Sequence, residues 1–285
     1  MRLIATFFAF EDFSMTDAQI VQASTETVLV DRQGAIVTIT INRPRIKNAL
    51  DVPTVQAIGR AIAGCDEQSG VRVVIITGAG GSFSSGADIG AAAQPGSNPD
   101  TILRALTDGY APALQAIRAC PWPVIAAVDG IAAGIGCDLA LVCDLRLASD
   151  RAAFAELFIR VGLIPDGGGT YLLPRLVGLG KALEMMFTGE SVSAQEALAI
   201  GLANKVYPAA SFYAEVTAYA EKLAKQAPLA LIRGKRAMLA AQHDSSFADA
   251  MAREAKFQRE IFASEDGFEG FRAFLEKRPP QWKGR

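Results

Sequence analysis

The stretch Gly130-Ile131-Ala132-Ala133-Gly134-Ile135-Gly136-Cys137-Asp138 decides the fold. It follows an apolar strand-like run at 123–128 and opens a helix-like run at 137–142. A glycine-rich turn between strand and helix leaves backbone N–H groups unpaired and aimed at one point. A second turn of this kind, Gly80-Gly81-Ser82-Phe83-Ser84-Ser85-Gly86-Ala87-Asp88-Ile89, follows the apolar run at 71–77. Set side by side, two such turns supply two donors to a single oxygen that gains negative charge during a reaction. That is the anatomy of an oxyanion hole.

Outside the two turns, strand and helix signals alternate. Residues 27–30 and 35–42 alternate in polarity around Asp31-Arg32-Gln33-Gly34, which predicts a hairpin. Asp51 caps a helix with Pro53 in its first turn, running to about residue 66. Residues 99–120 have helical spacing and stop at Pro121-Trp122-Pro123, and 144–148 reads as a further strand. Such alternation predicts an α/β fold with parallel strands and right-handed crossovers, and by itself also allows a doubly wound sheet. From Phe212 onward the pattern is helical, with apolar faces at 214–225, 228–242, 247–262 and 267–276 that need something to pack on. Residues 94–99 are the best candidate for a mobile loop.

Composition narrows the function. A chain of 285 residues, 51% apolar, builds a sizeable core. A net charge of −2 gives no electrostatic case for nucleic acid. No apolar stretch is long enough to span a bilayer, and the run at 3–10 is short for a signal peptide, so a cytoplasmic protein is expected. Met15 begins a polar lead-in typical of a natural start, which makes 1–14 an upstream extension or an over-extended start. Cys65, Cys120, Cys137 and Cys143 lack metal-ligand spacing and read as buried free thiols, so no metal is expected. The single histidine, His243, lies between C-terminal helices and reads as a surface residue rather than part of a nucleophile triad.

The chain resembles the crotonase (enoyl-CoA hydratase/isomerase) superfamily. The matching stretches are Ile41-Asn42-Arg43-Pro44 with Asn48-Ala49-Leu50, Phe83 to Ile89, Val128-Asp129-Gly130 through Cys143-Asp144, Gly162-Leu163-Ile164-Pro165-Asp166-Gly167-Gly168-Gly169-Thr170, and Ala197 through Leu202. Their joint order and spacing, over nearly the whole chain, is specific to the family though not to one reaction within it. The resemblance implies a ββα spiral core at 26–210, after an N-terminal extension at 1–25. It also implies a helical segment at 211–285 that covers the active site and joins subunits into trimers or dimers of trimers.

The resemblance further implies an acyl-CoA substrate, with coenzyme A as part of the substrate and no permanently bound cofactor. The oxyanion donors fall on the backbone N–H groups of Ala87 and Ile135. Coenzyme A contacts fall on Lys47, Ala49, Ser85, Ala87, Asp88 and Ile89, with Lys277 in the C-terminal basic segment. Asp138 stands where the family's hydratases carry their first catalytic glutamate, and Phe158 where they carry the second. Glu156 is two positions off that register. One carboxylate is therefore replaced by a ring, and the other is shorter by roughly 1.5 Å. A proton-transfer group must come within about 3 Å of its proton, so ordinary hydration is disfavoured.

Asp166, after Ile164-Pro165, matches the pattern of the family's isomerases, including enoyl-CoA and ring-epoxide (epoxyphenylacetyl-CoA) isomerase-like members. The resemblance makes Asp166 and Asp138 the catalytic candidates and isomerisation the preferred reaction. A hydratase using Asp138 and a non-catalytic binding or assembly member are the alternatives. Pro165-Asp166-Gly167 is also a common turn sequence, and Asp138 also suits the first turn of a helix.

Overall fold

The computed structural model describes residues 23–92 and 98–285. The expected N-terminal extension, up to residue 22, and most of the 94–99 loop lie outside the described residues. The first two strands, β1 (Val28–Gln33) and β2 (Ile36–Ile41), form the expected antiparallel hairpin, with Asp31 opposite Thr38. Asp51 caps α1 (Val52–Ala63) by accepting the Thr54 N–H at 2.9 Å, and the helix stops three residues short of the expected end. After β3 (Val73–Gly78), the chain forms α2 (Pro99–Arg104), a π-helical turn, and α3 (Ala111–Ala119). Then come β4 (Val124–Val128), β5 (Ile131–Ala133), α4 (Ile135–Val142), β6 (Leu145–Ser149) and β7 (Ala153–Ala155). The chain continues with α5 (Gly169–Val177), α6 (Leu179–Thr188), β8 (Ser191–Ser193), α7 (Ala194–Ala199) and β9 (Lys205–Tyr207). It ends in α8 (Phe212–Ala224), α9 (Pro228–Ala241), α10 (Phe247–Phe262) and α11 (Glu269–Leu275).

Six strands form one sheet in the order β1-β2-β3-β4-β6-β9, parallel from β2 onward. A three-stranded sheet, β5-β7-β8, was not expected from the sequence, because each of its strands is only three residues long. The order is neither the doubly wound alternative nor a simple open sheet: β5 and β7 leave the main sheet and pair with each other.

Every residue of β3 and β4 is buried. Side chains alternate across a strand, so Val74, Ile76, Val124 and Ala126 enter the core shared with α1, α3 and α4. Val73, Ile75, Ile125 and Ala127 pack instead on Phe212, Val216 and Ala220 of α8. A parallel sheet covered on both faces explains why these strands read as unbroken apolar runs. Helix α4 is buried on all sides, which carries Asp138 into the interior.

Candidate active site

The two glycine turns meet. Ser84 bridges to Ala132: its N–H donates to the Ile131 carbonyl at 2.9 Å, and the Ala133 N–H donates back to Ser84 O at 2.9 Å. A second bridge joins Leu50 to Ala87, using the N–H groups of Leu50 and Asp88 at 2.8 Å each. That pairing leaves the Ala87 N–H facing away, with no acceptor among the described residues. On the other turn, the Gly134 N–H is pinned to the Ala155 carbonyl at 2.8 Å. Gly134 turns the chain at φ 51° and ψ −131°, which side-chain-bearing residues avoid, and Ile135 then begins α4. The Ile135 N–H belongs to a first helical turn and likewise has no acceptor among the described residues.

Asn48 ties the first turn together. Fully buried in the left-handed conformation, it accepts the Arg43 N–H at 2.9 Å and donates to the carbonyls of Ala79 and Ser82 at 2.8 and 2.6 Å. The sequence reading treated this segment as a coenzyme A contact and missed its internal role. An asparagine in a loop is a residue suited to that conformation, and this was the available signal.

Helix α4 directs Asp138 toward the 165–169 loop. Asp138 Oδ2 accepts the Gly167 N–H at 2.8 Å, while Oδ1 has no hydrogen-bond partner. A Cβ on Gly169 would collide with that Oδ1, so the loop approaches the carboxyl as closely as it does only because residue 169 is glycine. Burial holds the Asp138 carboxyl well above the ordinary carboxylate range, the nearby Glu156 charge raises it further, and the Gly167 N–H opposes both. Asp166 sits on the same loop but is exposed, and partial enclosure of its carboxyl raises it. Phe158, on a short 3₁₀ turn at Leu157–Val161, is buried with its ring edge 4.0 Å from where a Cβ on Gly134 would stand. Glu156, just before that turn, is fully buried; burial raises its carboxyl to about 7 against the opposing pull of a hydrogen bond with the Cys137 thiol.

The coenzyme A candidates divide. Ser85 N–H donates to Lys47 O at 2.9 Å and Ser85 Oγ to Ile46 O at 3.2 Å, so 47–49 and 85–89 form one surface. On it Lys47, Ala87 and Ile89 are exposed and Ala49 is buried. Asp88 faces Arg43 at 2.8 Å. Lys277 follows α11, and no hydrogen bond or ion pair among the described residues joins it to that surface. His243 is exposed and contacts the Tyr171 hydroxyl at 3.0 Å, far from any triad arrangement. The four cysteines are buried and free, and burial pushes the Cys120 thiol up to about 11. Among the described residues there is no metal-binding group of side chains and no helix long and apolar enough to cross a membrane.

A strand-turn-helix pair presenting two free N–H groups beside buried carboxyls is the framework of an acyl-transfer or enolate-forming enzyme. The chain belongs to the enoyl-CoA hydratase/isomerase family: the sequence model of that description matches residues 31–285. It is 39% identical to a probable enoyl-CoA hydratase of Rhodobacter capsulatus, over 92% of this chain and 100% of that one. It is 35% identical to the 2,3-dehydroadipyl-CoA hydratase of Escherichia coli, over 90% of this chain and 99% of that one. The crystal structure of an enoyl-CoA hydratase from Bacillus anthracis superimposes with a TM-score of 0.86 at 34% identity, covering 91% of this chain and all of the other. The fold is thus the family's spiral, and the protein is an enzyme of the hydratase or isomerase kind.

Proposed function

We propose that this enzyme migrates a double bond in an enoyl-CoA thioester by way of an enolate, in preference to adding water. The observation that carries this reading is Phe158: a buried aromatic ring, not a carboxyl, packs against the turn that presents Ile135. A hydratase must hold and activate a water molecule, and a ring there supplies neither acceptor nor charge. In the proposed reaction the thioester oxygen lies between the N–H groups of Ala87 and Ile135. Asp166 removes a proton from the carbon α or γ to the thioester, and the electron pair moves onto the oxygen, giving the enolate. Return of the proton at the other carbon completes the migration, with Asp138 assisting through charge or a hydrogen bond. Lys47 and the 85–89 loop would hold the coenzyme A portion. A hydratase centred on Asp138 is the second reading, favoured by the hydratase names of the relatives.

The test is a panel of enoyl-CoA isomers differing in double-bond position, with bond migration and hydration followed on the same samples. Migration is expected to outpace hydration on at least one of them. Hydration faster than migration on every substrate transfers the assignment to the Asp138 hydratase.

The C-terminal segment supports assembly into a trimer or a dimer of trimers. Helix α10 buries none of its residues in this chain, and α11 with its approach leaves Phe268, Phe271, Phe274 and Leu275 exposed. Exposed apolar surface on that scale belongs at an interface. Light scattering at micromolar concentration is expected to give three or six chains, and a monomer would rule this out.

A further inference from the structure

Both ends of the first glycine turn lead back to Arg43. At the start of the turn, Asn48 holds the carbonyls of Ala79 and Ser82. The Arg43 backbone holds Asn48 in turn: the Arg43 N–H donates to Asn48 Oδ1, and the Asn48 N–H donates to the Arg43 carbonyl, each at 2.9 Å. At the far end, Arg43 Nη2 donates to Asp88 Oδ2 at 2.8 Å. The same nitrogen lies 3.2 Å from Asp51 Oδ2, and Nη1 donates to the Ala49 carbonyl at 2.7 Å. Asp51 also caps α1, so the guanidinium is tied to the start of a regular helix.

Ala49 and Leu50 are the rail on which the turn is laid. The Leu50 N–H donates to Gly86 O, and the Asp88 N–H donates to Leu50 O. Ala87 stands between those two bonds. A guanidinium suits this place because its planar fork reaches a carbonyl on one prong and carboxylates on the other, which a single ammonium cannot do. The Arg43 side chain is 18% exposed, so water screens these contacts less than it would at an open surface.

We propose that Arg43 is a positioning residue for the Ala87 N–H. It fixes the 49–50 rail and Asp88 relative to one another. It also sets a positive charge on Asp88, which is next in the chain to a donor that faces developing negative charge. This rests on the reading above in which Ala87 donates to the thioester oxygen, and it holds for migration and hydration alike. A donor displaced by about 1 Å loses much of its value in the transition state, where aim and distance count most.

Arg43→Gln removes the charge and the fork. Its kcat is expected to fall by at least about 10-fold, with KM changed by less than about threefold. Arg43→Lys is expected to lie between it and the wild type, because one cation remains. A change carried by KM instead assigns Arg43 to coenzyme binding and overturns the positioning role. Wild-type kcat in Arg43→Gln overturns it too. The sharper comparison is a double-mutant cycle with Ala87→Pro, each variant checked for folding by circular dichroism. With the N–H at position 87 gone, Arg43 has no donor left to aim. Adding Arg43→Gln to Ala87→Pro is then expected to cost less than about twofold further. Losses that multiply overturn the role of Arg43 and leave Ala87 as the donor. Full activity in Ala87→Pro alone removes the donor, and the role given to Arg43 falls with it. If Arg43→Gln does not fold, Arg43→Lys takes its place in the cycle, with a smaller first loss and the same expected lack of a second.

Discussion

Asp166→Asn is expected to lower kcat/KM for double-bond migration by at least about 100-fold, equivalent to about 2.7 kcal/mol of transition-state stabilisation. The substitution keeps the size of the side chain and takes away its ability to accept a proton. Asp166 is the carboxyl on the 165–169 loop that remains exposed, whereas Asp138 is enclosed and already holds the Gly167 N–H. The base must be ionised to act, so the wild-type rate rises with pH through the Asp166 titration. Partial burial raises that carboxyl, which places the rise above the ordinary aspartate range. In Asp166→Asn this acidic limb is expected to vanish. Asp138→Asn is expected to have the smaller effect, because an asparagine amide can still donate a hydrogen bond. The reverse order of effects would return the chemistry to an Asp138 hydratase.

Ala87→Pro is expected to cost on the order of 100-fold in kcat, with KM changed much less. Proline deletes the N–H at position 87. The Leu50–Ala87 bridge uses the N–H groups of Leu50 and Asp88 instead, so its hydrogen bonds do not require the one removed. The loss then falls on whatever the Ala87 N–H faces in the reaction. Circular dichroism and thermal unfolding run alongside separate a lost donor from a lost fold. A folded Ala87→Pro enzyme with full turnover would remove Ala87 from the oxyanion site.

Local chemistry made much of the architecture legible. Asp51 and Pro53 marked the start of α1 because capping depends on neighbouring residues alone. The apolar runs that became β3 and β4 were visible because both faces of those strands are covered. The helix boundaries from α8 onward follow apolar spacing of the kind that survives in sequence. The strands β5, β7 and β8 were not legible. At three residues each they carry no periodic signal, and pairing partners 22 to 40 positions apart stabilise them.

The sequence by itself carried the family's motifs, the two glycine turns and the aromatic ring at Phe158. Each of these is a matter of residue type in a fixed local order. Only the tertiary structure decided which carboxyls are enclosed. Glu156 lies two positions from the expected register, and on sequence grounds it was only a neighbour. Pairing β7 with β5 holds the chain that leads into it, and the folded protein encloses it as completely as it does Asp138 on α4. The protonation of a carboxyl depends on its solvent and on the charges around it, and both are set by segments that meet only when the chain folds.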